Sequence, residues 1–251
     1  MYKMRTPEAR RMIKDCRVIN TVIEFEPMNA AIIVAAGKGT RVGNPDKLLM
    51  EIAGRPLVAH TWARFDACSA IDEVVLVIRP EHASVFRKMG AALGARKPFK
   101  FVAGGKERQD SVWNGLEALS ESVEFVAIQD GARPCATDPL IDATFAAAKE
   151  VGAAVAAQRV TDTIKESSEG QRITRHLDRS QLWSVQTPQT FRVEVIRRAL
   201  LAVRQKNLIV TDDTAACELI GQPVKLVESK GPNPKLTFAE DAIVIERLLC
   251  R

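Results

Sequence analysis

The chain has 251 residues, of which 46% are hydrophobic and 27% charged, so we expect one large domain with a sizeable core. A net charge of +5, from 36 basic and 31 acidic residues scattered along the chain, suits a small anionic substrate rather than nucleic acid. Five widely spaced cysteines without a CxxC pair and three dispersed histidines argue against disulfides, a zinc ribbon or a histidine metal site, and they favour a reducing cytoplasm. No apolar run approaches the roughly 18 residues that a membrane span needs, so we expect no contact with a membrane.

Residues 1–29 differ from the rest of the chain, because mixed charges interrupt short apolar clusters and no long apolar segment is present. Without a long apolar segment, the pattern is not typical of a secretory signal. Its four acidic residues also argue against a transit peptide. We expect a loosely ordered N-terminal extension, or a start codon placed too early with Met28 as the true first residue.

From residue 30 onward, apolar strand patterns alternate with amphipathic helix patterns. Strands are predicted over 30–36, 73–79, 99–103, 124–129, 153–157 and 224–228. Helices are predicted over 56–68, 81–89, 108–120, 192–204, 211–220 and 238–249, and a further helix is expected to be capped by Asp138. This alternation is typical of an α/β fold with an open, mostly parallel sheet and helices on both faces, in which ligands bind beyond the carboxyl ends of the strands.

Residues 158–185 interrupt this alternation with a polar stretch that has a turn-like Ser167-Ser168-Glu169-Gly170 near its middle. The pattern indicates a polar hairpin that stands away from the sheet. A hairpin with little core of its own is only marginally stable, so we expect this protruding β-arm to pack on a second subunit. The chain is therefore divided into the extension 1–29 and one domain, 30–251, that carries the arm 158–185.

A Gly-rich turn follows the first predicted strand. Gly37 and Gly39 lie in it, and Arg41 and Lys47 come soon after. The spacing fits neither a Walker A loop nor the Rossmann GxGxxG fingerprint. Backbone N–H groups of such a turn can hold a phosphate, and an Arg and a Lys would add positive charge. A purely structural turn is the alternative, but the two cations favour nucleotide binding.

Further polar segments follow later strands and would reach the same edge of the sheet. A Gly-Gly pair ending at Gly105 precedes the helix that contains Ser111, and Asp130 ends its strand, where it is placed to meet a metal or a substrate hydroxyl. Ordinary turns are the alternative in both places. Thr211 and Lys235 also lie near the ends of predicted elements and are weak signals singly.

Taken together, these segments resemble one known family. The matching runs are AAGKGTR with the later Lys47, GGKERQDSV, QDGARP, DTIK, LDRSQLW, TPQ, TDD and KLT. They occur in the order seen in the 2-C-methyl-D-erythritol 4-phosphate cytidylyltransferase family, and the resemblance extends from residue 30 to the C-terminus. It implies a Rossmann-like nucleotidyltransferase fold and transfer of CMP from CTP to 2-C-methyl-D-erythritol 4-phosphate. The products would be 4-diphosphocytidyl-2-C-methyl-D-erythritol and pyrophosphate, in non-mevalonate isoprenoid precursor synthesis.

The resemblance also implies a role for each matching residue. The implied residues are, for catalysis, Arg41, Lys47 and Lys235; for the nucleotide, Ala35, Ala36, Gly37, Gly39, Gly105 and Ser111; and for the acceptor, Asp130, Thr163, Arg179, Thr211 and Lys235. Mg²⁺ would be held mainly by the CTP phosphates, with Asp130 nearby. The arms would embrace in a homodimer, so that Thr163 and Arg179 serve the neighbouring subunit's site.

Three positions depart from the pattern of the family. The family usually has Pro-Lys-Gln at its second cation, whereas here Asp46 separates Pro45 from Lys47 and adds a negative charge. This leaves the reach of Lys47 open. Lys106 stands where an acidic residue is common and Gly131 replaces a common Ala, and we expect both changes to be tolerated.

Three alternatives stay open at this point. Ribitol 5-phosphate cytidylyltransferases share much of the pattern, and only the acceptor pocket would separate the two substrates. A CTP-binding regulator could have lost catalysis through the altered Pro45-Asp46-Lys47 segment. A glycosyltransferase that uses Asp212-Asp213 as a metal pair is a weaker possibility, because acidic residues that open a helix are favoured by the helix dipole anyway.

Overall fold

The computed structural model of the protein describes residues 28–37 and 46–250. Its strands are β1 (Met28–Val34), β2 (Glu51–Ile52), β3 (Arg55–Pro56), β4 (Glu73–Ile78), β5 (Phe99–Ala103), β6 (Val123–Asp130), β7 (Ala153–Arg159), β8 (Lys165–Glu166), β9 (Arg175–His176), β10 (Trp183–Arg192) and β11 (Lys225–Glu228). Its helices are α1 (Leu57–Ala67), α2 (Ala83–Leu93), α3 (Arg108–Glu117), α4 (Asp138–Val151), α5 (Val193–Gln205), α6 (Asp213–Glu218) and α7 (Asp241–Leu249). Short 3₁₀ turns cover Lys47–Leu49, Pro80–His82 and Arg179–Gln181.

Seven strands form the central sheet in the order β11-β7-β10-β6-β1-β4-β5. Neighbouring strands are parallel except at β10, which runs antiparallel to both β6 and β7. All six residues of β4 are buried, because helices cover both of its faces, and its sequence is correspondingly a nearly continuous apolar run. The predicted mostly parallel sheet is confirmed.

Helices pack on both faces of the sheet, as predicted. On one face, α1, α2, α4 and α7 contribute the side chains of Trp62, Phe86, Phe145 and Ile245 to one core cluster. On the other face, α3, α5 and α6 contribute to the second cluster, which includes Leu116. Together these layers fix the positions of the strands, so the loops at the carboxyl ends of β1, β5 and β6 are held at the same edge of the sheet.

Strand β10 has no counterpart among the predicted elements, since none covers 186–191. Its residues Gln186, Thr187 and Gln189 are polar, and Pro188 interrupts the run, a combination that argues against a central strand. In the structure the pairing of β10 with β7 breaks between Val185 and Gln189, so the proline lies where the ladder is discontinuous. The three polar side chains are buried and find their hydrogen-bond partners outside the ladder.

Smaller boundaries also differ from the predictions. Met28 and Asn29, assigned above to the extension, are the first residues of β1. Helix α4 has Thr137 rather than Asp138 as its N-cap, because the extended backbone of Thr137 places its carbonyl to accept from the N–H groups of Leu140 and Ile141.

Both ends of the predicted arm 158–185 belong to the central sheet, since β7 extends to Arg159 and β10 begins at Trp183. Between them, β8 and β9 pair as a separate antiparallel ribbon whose residues are exposed. In the part of the chain that the structure describes, no helix combines the length and apolarity that crossing a bilayer requires.

Candidate active site

A cleft of about 530 Å³ opens at the carboxyl edge of the sheet, above β1 and β6. Its walls come from the ends of these two strands, the turn between β5 and α3, the 3₁₀ turn that begins at Lys47, and the segment before α7. This is the edge at which open α/β sheets bind ligands.

One wall of the cleft is built from small residues that touch closely. Gly104 lies against Ala36, and a Cβ atom added at Gly104 would stand 2.2 Å from the Cβ of Ala36. The N–H of Gly105 donates to Oγ of Ser111 at 3.0 Å, and that hydroxyl donates to the carbonyl of Glu107 at 3.2 Å. We call the surface formed by Ala36, Gly37, Gly104, Gly105 and Ser111 the small-residue wall.

Helix α3 begins at this wall. Glu107 and Asp110 form a capping box, in which each side chain accepts from the backbone N–H of the other residue. The first turn of α3 therefore faces the cleft in a fixed conformation, and the positive end of its dipole favours a negatively charged ligand there.

Another wall of the cleft is built from charges, with Asp130 at its centre. Its carboxylate lies 2.7 Å from Nζ of Lys235, 3.5 Å from Nε of Arg108 and 3.8 Å from Nε of Arg133. Burial opposes ionisation of this carboxyl, but the three cations outweigh burial and hold its pKa below the ordinary value. Asp130 is thus a fixed anion at the end of β6, and its oxygens are oriented by their cationic neighbours.

Arg108 connects this centre to a second carboxylate, Asp213, at the start of α6. Its Nη1 lies 2.6 Å from Oδ2 of Asp213, whose side chain is only 1% exposed. Burial raises the pKa of Asp213, and Arg108 offsets that effect in part. The two carboxylates raise the pKa of Arg108 although burial opposes this, so its guanidinium stays charged. We use the name charged wall for the lining residues Asp130, Lys235 and Arg108 together with their charged partners Arg133 and Asp213.

A second cavity of about 260 Å³ adjoins the first. The two cavities share Arg108, Asp130 and Lys235, and the second is also lined by Thr211 and by polar residues of β10. The backbone N–H of Asp130 donates to Oγ1 of Thr187 at 3.1 Å, which ties the end of β6 to β10. The charged wall therefore separates two adjoining spaces, so groups bound in them would meet at Asp130.

Lys47 lies at the border of the larger cleft. Its Nζ donates to the carbonyl of Leu236 at 2.9 Å, next to Lys235 in sequence. Two segments 189 residues apart thus bring two ammonium groups to one cleft.

The acidic pair Asp212-Asp213 is engaged within the chain. Asp212 is the N-cap of α6 and accepts from the N–H of Ala215 at 2.9 Å, while Asp213 faces Arg108. Across residues 28–37 and 46–250, no three His, Cys, Asp or Glu side chains are grouped so as to hold a metal ion. Both carboxylates of the pair thus have partners within the chain.

Comparison with known proteins identifies the family. The family model described as IspD: 2-C-methyl-D-erythritol 4-phosphate cytidylyltransferase matches residues 29–251. The chain belongs to this family. Its match includes all segments that form the two cavities.

Individual cytidylyltransferases agree with this assignment. The chain is 42% identical over 222 residues to the 2-C-methyl-D-erythritol 4-phosphate cytidylyltransferase of Pelotomaculum thermopropionicum, with 88% of this chain and 93% of the relative covered. A 4-diphosphocytidyl-2C-methyl-D-erythritol synthase structure from Anaerococcus prevotii superposes with a TM-score of 0.79 at 29% identity, covering 89% and 96% of the two chains. The Thermus thermophilus cytidylyltransferase gives a TM-score of 0.72 at 30% identity, covering 89% and 100%.

The structure brings most of the predicted site residues of this cytidylyltransferase together. The residues that line the larger cleft are Ala36, Gly37, Lys47, Gly105, Ser111, Asp130 and Lys235. Ala35 is buried directly before them in sequence, and Thr211 lines the second cavity. Gly39 and Arg41 lie outside the described residues. The individual roles stay predictions.

Two predicted residues lie elsewhere. Thr163 and Arg179 are exposed in the arm and line neither cavity of their own chain. Nη1 of Arg179 donates to the carbonyl of Thr161, so this side chain is held at the base of the arm.

Three charged residues of the site received no role from the family pattern, although Asp213 was considered as part of a metal pair. Arg108, Arg133 and Asp213 all lie within the matching runs, and each occupies a loop or helix start at the carboxyl edge. That position was the available signal, because side chains at this edge of an open α/β sheet lie at or next to the ligand site. Which carboxylate each arginine would meet depends on contacts between distant segments, and sequence spacing does not give these.

Proposed function

We propose that this protein transfers the cytidylyl group of CTP to 2-C-methyl-D-erythritol 4-phosphate and releases pyrophosphate. The observation that carries the proposal is the charged wall: the Asp130 carboxylate, fixed by Lys235, Arg108 and Arg133, stands between two adjoining cavities. Membership of the family supports the same reaction. The larger cavity suits the nucleotide, and the smaller one suits a polyol phosphate.

The chemistry requires positioning and charge neutralisation rather than a protein nucleophile. An acceptor phosphate oxygen attacks the α-phosphorus of CTP, a new P–O bond forms, and the bond to the β-phosphate oxygen breaks as pyrophosphate leaves. The acceptor oxygen is already anionic, so no side chain has to remove a proton. Lys47 and Lys235 reduce the repulsion between the two phosphate groups, and both line the cleft where this charge would gather.

Asp130 is suited to orient the acceptor. An ionised carboxylate at the border of the two cavities accepts hydrogen bonds from substrate hydroxyls, and its three cationic neighbours keep it ionised. Thr211 and the polar side chains of β10 surround the space next to it.

We include Mg²⁺ in the proposal as an ion that arrives with CTP. Mg²⁺ binds well to one or two carboxylates together with substrate phosphates, and Asp130 offers one carboxylate at the cleft. When bound, Mg²⁺ neutralises phosphate charge. The residues of the protein hold the acceptor oxygen in line with the α-phosphorus of CTP and the departing pyrophosphate.

Turnover with defined substrates tests the proposed function. The purified chain is mixed with Mg²⁺, 2-C-methyl-D-erythritol 4-phosphate and CTP, ATP, GTP or UTP, and pyrophosphate release and the cytidylylated product are measured. We expect turnover with CTP only. Turnover with ribitol 5-phosphate in place of the methylerythritol substrate would favour the related cytidylyltransferase activity. CTP binding without pyrophosphate release would identify a regulator.

We further propose that the arm completes the site of a second subunit in a homodimer. Arg179 and Thr163 are exposed and line neither cavity of their own chain, and Ile173 of the arm is 68% exposed. Both features suit a ribbon that is covered in an assembly.

Complementation between two inactive variants tests this arrangement. Arg179→Ala and Lys235→Ala are each expected to lose activity, the first mainly through a higher KM for the acceptor. Mixed subunits would rebuild one intact site per heterodimer, so about a quarter of wild-type activity is expected after random exchange. Activity no higher than that of the separate variants, or a monomer in light scattering, would contradict the proposal.

We also propose a cytoplasmic location. The four cysteines in the described residues are free thiols, and burial raises the pKa of Cys135 to about 11 and that of Cys217 to about 12. Thiols kept in this form suit a reducing compartment.

A further inference from the structure

The side chain of Asp46, directly before Lys47, is bound to the end of β4. Its Oδ1 accepts a hydrogen bond from Nη2 of Arg79, the residue that follows β4, and lies 3.4 Å from Nε2 of His82. The Arg79 side chain is 18% exposed and that of His82 15%, whereas that of Asp46 is 46% exposed. Arg79, directly after β4, is thus the anchor: its mostly buried guanidinium holds the more exposed carboxylate of Asp46.

The anchor itself is fixed by its surroundings. Nη2 of Arg79 lies 2.9 Å from Nε2 of His82, and its Nε lies 3.7 Å from the carboxylate of Glu81. Leu48 and Phe86 line the same small cavity as the ion pair, and both are buried in the core cluster that includes Ala35, directly after β1. Arg79 therefore has little freedom to follow Asp46 if the turn moves.

Three consecutive residues of the turn point in three directions. Asp46 faces Arg79, Lys47 reaches across the cleft to the carbonyl of Leu236 at 2.9 Å, and Leu48 enters the core. Because adjacent residues share one backbone, fixing Asp46 on one side and Leu48 on the other fixes the position from which Lys47 extends. Asp46 also has a counter-charge in Arg79, at the end of β4.

We propose that Asp46 is a positioning residue for Lys47, and that Arg79 is the counter-charge that makes an acid acceptable beside the triphosphate site. The inference rests on the proposed binding of CTP in this cleft. It predicts that Arg79 matters to CTP chiefly because Asp46 is present. A residue needed only for packing would show no such dependence.

A double-mutant cycle on Arg79 and Asp46 tests this. Arg79→Met leaves a carboxylate without its principal anchor next to the triphosphate, so we expect the KM for CTP to rise and kcat to fall, together by about tenfold in kcat/KM. Asp46→Asn is expected to cost only a few-fold, through looser placement of Lys47. The double variant is expected to match Asp46→Asn and so to recover most of the activity that Arg79→Met loses. The KM for the acceptor stays at the wild-type value in all three.

A second Arg–carboxylate pair provides the control. Arg192 pairs with Glu124 near the amino end of β6, its side chain is 35% exposed against 18% for Arg79, and Arg192→Met is expected to leave both KM values unchanged. Thermal unfolding of every variant shows whether a kinetic change comes from lost stability or from a misplaced Lys47. If Arg79→Met does not fold, Arg79→Lys and its combination with Asp46→Asn give the same cycle with a smaller change.

The outcomes separate this inference from the proposed function. A double variant as impaired as Arg79→Met, or more so, would overturn the inference while leaving the reaction in place. If the wild-type chain bound CTP by calorimetry without turning over any acceptor, the proposed reaction would fail. The same cycle measured on CTP affinity would then still support or overturn the role of Asp46. A wild-type chain that does not bind CTP would overturn both.

Discussion

The two walls of the larger cleft use different physical means to define one site. The small-residue wall depends on close contact, since Gly104 leaves no room for a Cβ beside Ala36. The charged wall depends on compensation, since Arg108 and Lys235 neutralise the carboxylates of Asp130 and Asp213, which are 13% and 1% exposed. A steric wall selects a ligand by shape, whereas a charged wall selects it by the position of its anionic and hydroxyl groups. The comparison predicts that substitutions in the two walls fail in different ways.

The largest effect on the free energy of unfolding is expected from replacing Arg108, which links the carboxylates of Asp130 and Asp213. Arg108→Met would leave Asp213 buried without its cation, and breaking a buried pair in this way costs about 3–5 kcal/mol in the free energy of unfolding. The measurement is urea unfolding at equilibrium. Asp213→Asn in the same background is expected to restore much of the loss, because it removes the unpaired charge. A loss below about 1 kcal/mol would show that the charged wall is not held by this pair.

The pH dependence of that loss follows from the direction of the pKa shift. Burial raises the pKa of Asp213 in the folded state, so the folded protein holds this proton more strongly than the unfolded chain does, and stability falls as pH rises through that range. Without Arg108 the pKa rises further. The destabilisation of Arg108→Met is therefore expected to be greatest near neutral pH and to shrink toward about pH 4, where the unfolded carboxyl also becomes protonated. A loss independent of pH would contradict this account.

Removing a cation from the cleft is expected to act on turnover with little effect on stability. Lys47→Ala takes one ammonium group from the site where phosphate charge would gather, and loss of one preorganised group lowers kcat by about 10²–10³-fold. Steady-state kinetics measures the effect. Lys225→Ala, which breaks an exposed pair with Glu150, is the matched control and is expected to behave as wild type. Near-normal turnover of Lys47→Ala would refute its role.

The sequence predicted the buried parts of this fold better than its polar contacts. Strand β4 was recognised because both of its faces are covered, which makes its sequence a continuous apolar run. Strand β10 was not, because Gln189 is stabilised by Asp212 at 3.1 Å, a partner from a distant segment that no local pattern contains. The same reason explains why Asp130 was predicted as a site residue while the Arg108–Asp213 pair, 105 residues apart, was not.

A substitution in the small-residue wall is expected to have a moderate effect on stability and on CTP binding. In Gly104→Ala, a Cβ atom 2.2 Å from the Cβ of Ala36 and 3.3 Å from Oγ of Ser111 would push the turns after β1 and β5 apart. Overpacking of this kind costs about 1–3 kcal/mol, and the displaced wall is expected to weaken CTP binding more than acceptor binding. Unfolding and calorimetric titration with CTP measure the two effects. Gly231→Ala is the control, since a Cβ there meets nothing within 4 Å.

The smallest effect on the free energy of unfolding is expected at Gly131, which lines the larger cleft. A Cβ at Gly131 would stand 3.1 Å from the carbonyl oxygen of Val34 and 3.3 Å from Cγ2 of Val58, which is tight but within reach of a small shift. Gly→Ala at a compatible backbone stabilises by about 0.4–1 kcal/mol through the unfolded state, and the crowding offsets that gain. We therefore expect Gly131→Ala to change the free energy of unfolding by less than about 0.5 kcal/mol. A loss as large as that of Gly104→Ala would mean that close contact also controls the end of β6, and the division into a steric and a charged wall would then fail at that strand.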